Sequence, residues 1–126
     1  RADIFDFLIK TVNEFKPDYI IGSSMGGYSA FILGALYKIP VLAFNPALHS
    51  RTLEPAFPDF VKEHFPSEFT VVLGEQDTVI APNKTLDWLK DHVKDKWVKS
   101  DIQTVKTMGH RVPFSDFVDM YNKIID

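Results

Sequence analysis

The sequence predicts an α/β fold, a parallel sheet of about four strands flanked by helices, in one domain spanning 1–126. Three observations predict it. Helix-spaced and strand-like segments alternate from end to end, two of the strands are almost wholly apolar, and no linker, repeat or low-complexity tract breaks the order. A strand without polar alternation is buried on both faces, the condition of a parallel sheet covered by helices.

Each element has its own signal. Ile4, Phe5, Leu8, Ile9, Val12 and Phe15 recur at helical spacing, and Pro17 stops that helix by disfavouring an α conformation at Lys16. Tyr19-Ile20-Ile21, between Asp18 and Gly22, is a short buried strand. A helix rich in small and apolar side chains runs from Met25 to about Tyr37. After Pro40, Val41-Leu42-Ala43-Phe44 is a second buried strand, stopped by Asn45-Pro46. Pro46, Pro55, Pro58 and Pro66 mark residues 46–66 as mostly loop, with a short helix around 60–64. Phe69-Thr70-Val71-Val72-Leu73 is the third strand, ended by Gly74. Asn83 is expected to cap a helix running through Leu86, Leu89 and Val93. The fourth strand falls near 102–106, and a last helix follows Pro113 through Phe117, Met120, Tyr121 and Ile124.

Composition narrows the functions. With 45% hydrophobic and 25% charged residues, the chain has the balance of a soluble globular protein. A net charge of -3 argues against a nucleic-acid surface, and the basic residues within 84–111 alternate with acids, as on a solvated helix face. No apolar run approaches the roughly 18 residues of a membrane span, and no secretory leader opens the sequence. The lack of cysteine removes disulfides, thiolate metal sites and a Cys nucleophile together. No H-x-x-x-H or H-E-x-x-H spacing occurs, so no zinc site is expected, and both common nucleotide-binding glycine patterns are missing.

The chemistry centres on Gly22-x-Ser24-x-Gly26, set between a predicted strand and a predicted helix. That context defines a nucleophile elbow, a sharp turn that lifts a serine hydroxyl above the carboxyl edge of the sheet. Residues two before and two after the serine come close together there, which glycine permits for want of a Cβ. The turn leaves the Met25 N–H at a helix N-terminus, placed to meet a developing oxyanion. A serine needs a base to take its proton and an acid to orient that base, in the chain order Ser, acid, His. Asp77, just past the third strand, fits the acid, and His110, in the turn after the fourth, fits the base. Glu75 is a rival acid, with Asp101 and Asp116 weaker ones. His49 is placed to line a pocket, whereas His64 and His92 fall on helical stretches as surface residues.

The run Pro17-Asp18-Tyr19-Ile20-Ile21-Gly22-Ser23-Ser24-Met25-Gly26-Gly27-Tyr28 resembles the elbow of the YqiA-like family of small bacterial α/β-hydrolase esterases. Asn45-Pro46-Ala47, the turn at 74–77 and Gly109-His110 are similar to that family too, so the resemblance covers nearly the whole chain. It implies a cytoplasmic serine hydrolase acting on a small-molecule ester or thioester without a cofactor. Ser24, Asp77 and His110 match its nucleophile, acid and base. In such hydrolases about four strands precede the elbow strand, and the loop after the third supplies a second oxyanion N–H beside a His-Gly pair. Here the elbow strand is the first and no His-Gly pair occurs. The expectation is therefore a truncated or partial α/β-hydrolase fold, its bare edge beside residues 19–21 open to pairing with a second copy. The competing reading is a non-catalytic module of this fold that serves in oligomerisation or partner binding. Phe44, Leu48, Phe57, Phe60 and Phe65 surround the loop after the second strand, either as an apolar acyl pocket or as core.

Overall fold

The computed structural model describes residues 2–48, 66–92 and 99–125. Its elements are α1 (Ala2–Phe15), β1 (Ile20–Ser23), α2 (Met25–Tyr37), β2 (Val41–Phe44), β3 (Glu68–Gly74), α3 (Pro82–His92), β4 (Lys99–Val105) and α4 (Phe114–Ile125). All three strand pairings are parallel and the spatial order is β1-β2-β3-β4, so each crossover moves the chain one strand along. Register follows from the pairs Ser23↔Phe44, Phe44↔Val72 and Gly74↔Val105. The strands therefore end near one line, and the turns that follow them share one edge of the sheet. The predicted fold class stands.

Period-two alternation sorts the strand side chains into two cores. Val41, Ala43, Phe69, Val71 and Leu73 pack with Phe31 and other residues of α2, and with Leu89 of α3. Leu42, Phe44 and Val72 face the other way, onto Met120 and Phe117 of α4. Helices on both faces explain why β2 is buried along its whole length. β1 is only half-buried, where a buried strand was expected, because it stands at one edge of the described sheet. α2 has no polar stripe, and eight of its residues, from Gly27 to Ala35, are buried. Phe31 holds its centre, with ring centroids 4.8 Å from Phe69 and 5.9 Å from Trp88.

One helix start differs from expectation. Asn83 is not the cap of α3 but its second residue; Pro82 comes first, and the Ala81 carbonyl accepts from the N–H groups of Lys84 and Thr85. Proline suits that place because an N–H there would have no partner within the helix. Val93 and the expected helix at 60–64 lie outside the described residues. No described helix is long and apolar enough to cross a membrane.

The glycines around the first turn are not equivalent. A Cβ on Gly22 would stand 2.2 Å from the Gly26 carbonyl oxygen, and one on Gly27 would stand 2.8 Å from Pro46 Cβ. A Cβ on Gly26 would meet nothing within 4 Å. The close approach that the motif requires is thus met by Gly22 alone, since its missing Cβ faces the Gly26 backbone. Gly22→Ala is expected to destabilise the fold by about 2 kcal/mol or more, because the obstacle is backbone. Gly26→Ala should change stability by less than about 1 kcal/mol in either direction. Thermal unfolding followed by circular dichroism separates the two.

Candidate active site

Ser24 sits between β1 and α2 with φ 57° and ψ −121°, a backbone conformation that a non-glycine residue rarely adopts. Strain of this kind costs on the order of 1–3 kcal/mol and persists only where the surroundings over-determine it. They do so here. The Ser24 N–H donates to the Phe44 carbonyl at 3.0 Å, and its own carbonyl accepts from Gly27, Tyr28 and Ala47. The side chain is left half-buried at the C-terminal end of β1. Met25 begins α2, and its N–H has no hydrogen-bond partner among the described residues. It stands at the positive end of the helix dipole.

The turn after β3 carries Asp77, whose side chain is completely buried. Its Oδ1 accepts from the Val79 N–H at 2.8 Å and the Ile80 N–H at 2.9 Å, while Oδ2 lies 3.0 Å from His110 Nδ1. A carboxylate can only accept, so the bond assigns the ring proton to Nδ1 and leaves Nε2 of a neutral imidazole as acceptor. His110 is itself 28% exposed. Glu75 does not compete for it. Its side chain is exposed, and its N–H pairs with the Val105 carbonyl. Asp101 is exposed on β4 and accepts from Gln103, and Asp116 lies in the first turn of α4. His49 and His64 lie outside the described residues, as does the side chain of His92.

Strand order poses a problem for this site. β1 and β4 are three strand spacings apart, about 14 Å at the usual separation of paired strands. Yet a cavity of about 480 Å³ has both Ser23, at the end of β1, and His110, past the end of β4, among its lining residues. Ile21, Phe44, Val112 and Phe117 form its apolar wall. The chain after β4 therefore folds back over the ends of β3 and β2. Gly74 allows this, because a Cβ there would stand 2.4 Å from the Met108 carbonyl oxygen and 2.7 Å from that of Gly109. The Gln76 N–H donates to the Met108 carbonyl at 2.9 Å, and the Met108 side chain plugs into the core beneath α4. Ser24 stands one residue beyond the cavity wall, and no hydrogen bond joins its hydroxyl to His110 among the described residues.

A strand–turn–helix serine, an acid after the next-to-last strand and a histidine after the last are arranged here on a sheet that known structures share. The structure of SOBER1 from Arabidopsis thaliana is similar with a TM-score of 0.68 at 14% identity, over 96% of this chain and 59% of that one. An α/β serine hydrolase homologue from Coxiella burnetii is similar with a TM-score of 0.63 at 13% identity, over 95% and 54%. The chain has part of the α/β-hydrolase fold. Esterase PE8 shares it as well, with a TM-score of 0.65 at 16% identity over 97% of this chain and 57% of that one. The chain thus spans between half and two thirds of the length of these hydrolase-fold structures. The model of the uncharacterised protein family UPF0227 matches residues 2–57, less than half of the chain. That stretch holds the Ser24 turn but neither Asp77 nor His110, and it agrees with the resemblance carried by residues 17–28. No curated protein matches the sequence.

Asp77 has both a local and a long-range task, and two substitutions separate them. Asp77→Ala removes the acceptor of two turn N–H groups and of His110, and should cost roughly 2–4 kcal/mol in unfolding by denaturant. Asp77→Asn keeps an oxygen for the turn but turns an amide toward Nδ1, so it should cost less than about 2 kcal/mol while forcing the other histidine tautomer. Nitrogen-15 chemical shifts of the His110 ring report the tautomer directly.

Proposed function

We propose that this chain carries the nucleophile, base and acid of a cytoplasmic serine hydrolase acting on a small-molecule ester or thioester. The observation that carries the reading is the 3.0 Å contact of buried Asp77 with His110, on the sheet edge that also bears the strained Ser24 turn. The relatedness of the fold to esterase and serine hydrolase structures supports it.

In the proposed reaction Ser24 Oγ attacks the substrate carbonyl carbon as His110 Nε2 takes the hydroxyl proton. The Nδ1–H bond to Asp77 steadies the imidazolium that results. The Met25 N–H donates to the oxyanion of the tetrahedral intermediate, aided by the α2 dipole. Collapse expels the alcohol or thiol, which leaves with the proton from His110, and Ser24 holds the acyl group. A water, deprotonated by the same nitrogen, then attacks the acyl carbon, releases the acid and restores Ser24. The apolar wall of Ile21, Phe44, Val112 and Phe117 suits a hydrophobic group next to the scissile bond. Leu48 takes no part, being buried in the core with α2, and Phe57, Phe60 and Phe65 lie outside the described residues.

A fluorophosphonate probe should label the wild-type chain and leave Ser24→Ala unlabelled, with His110→Ala slower by roughly 10²–10⁴. Equal labelling of wild type and Ser24→Ala would end the hydrolase reading and favour the non-catalytic module. In a series of p-nitrophenyl esters, kcat/KM should rise from acetyl to butyryl and hexanoyl, because each buried methylene contributes about 0.8 kcal/mol. A flat or falling series would exclude the apolar wall as an acyl site.

A further inference from the structure

Asn45 is buried to 1% exposure, yet it carries no apolar surface to justify the place. Its backbone has φ 44°, in the left-handed region where Asn is among the few side chains tolerated. Its amide is used at both ends. Oδ1 accepts from the Gly74 N–H at 2.8 Å, and Nδ2 donates to the carbonyls of Gly109 at 3.0 Å and His110 at 3.1 Å. One side chain at the end of β2 thus holds the start of the acid turn and the backbone of the candidate base. The same short segment also grips the serine. The Phe44 carbonyl accepts from the Ser24 N–H, and the Ala47 N–H donates to the Ser24 carbonyl.

We infer that Asn45 is the positioning residue of the site, setting the separation and orientation of His110 relative to Ser24. This rests on the proposed roles of Ser24 and His110. Asp77 fixes which ring nitrogen carries the proton, but it holds only the ring. The loop must also be kept folded back over the ends of β3 and β2, and Asn45 is the side chain that ties the carbonyls of Gly109 and His110 to the end of β2. Without it, the loop would move away from the end of β2, loosening the bond of His110 to Asp77 and carrying the ring away from Ser24.

Two substitutions test this while keeping the backbone conformation accessible. Asn45→Gly tolerates φ 44° and removes the side chain alone. Asn45→Asp keeps the acceptor for Gly74 but sets lone pairs against the carbonyls of Gly109 and His110. Both are expected to lower the rate of fluorophosphonate labelling at Ser24 by 10- to 100-fold while far-UV circular dichroism stays native. The downfield proton resonance of His110 Nδ1–H should broaden through faster exchange in both. A merely structural role as a strand-end cap predicts something else: Asn45→Asp, which keeps the Gly74 bond, would label and resonate as wild type does. Wild-type labelling and resonance in both variants would overturn the inference. A wild-type chain that resists the probe would instead overturn the roles of Ser24 and His110, and the His110 resonance would still report on Asn45. A measurement on the unmutated chain covers the case of variants that do not fold. The two Asn45 Nδ2–H protons should exchange slowly with solvent, and exchange at the rate of a free side chain would refute their bonding to the loop.

Discussion

Gly74, the last residue of β3, is where the site depends most on a single close approach. Its N–H donates to Asn45, and its missing Cβ leaves room for the carbonyls of Met108 and Gly109. A parallel sheet in the order β1-β2-β3-β4 separates its first and last strands by two others, so a site built from both needs one loop to cross the gap. The chain after β4 does so by lying against the turn at the end of β3. Its carbonyls accept there from the backbone N–H of Gln76 and the side-chain amide of Asn45, and Met108 anchors it in the core. A side chain at residue 74 would push that loop away, and His110 with it.

At the other end of the site the elbow is held by the same logic. Strain at Ser24 is stable because β2 and α2 together use both its N–H and its carbonyl, not because the serine favours that conformation. The segment after β2 is common to both halves. Phe44 and Ala47 bind the elbow, and Asn45 binds the acid turn and the histidine loop. Residues far apart in sequence thereby meet through backbone groups, which do not change with side-chain identity. The side chains that must be particular include Gly22, Gly27 and Gly74 for approach, Asn45 for its two-ended amide, and Asp77 for its two-ended carboxylate.

The fold was highly legible in the sequence. α2 and β2 have the boundaries their apolar runs suggest, and the other strands fall within a few residues of expectation. Burial of β2 on both faces followed from its lack of alternation. β1 misled because an apolar run reads as buried whether or not a neighbouring strand covers its outer edge. Asn83 misled because Asn ahead of an apolar helix is the usual cap, while Pro82 starting the helix one residue earlier is equally sound chemistry. Of the candidate site residues, Ser24, Asp77 and His110 could be named from strand ends and chain order. Asn45 could be seen as a strand stop and as part of the family resemblance but not as a link between loops, although Asn is among the few residues that readily take a positive φ.

Local patterning alone therefore determined the alternating α/β order, the elbow around Ser24 and the candidates for acid and base. Each of these depends on residues within a few positions of one another, or on which element follows which. The tertiary structure decided the rest. It joined Asp77 rather than Glu75 to His110, tied Asn45 to the backbones of Gly74 and His110, and folded His110 back into a cavity that Ser23 also lines. Those outcomes turn on distances between segments 29 or more residues apart in sequence. Strand order and the packing of one loop across the sheet edge set such distances, and no local pattern of side chains encodes them.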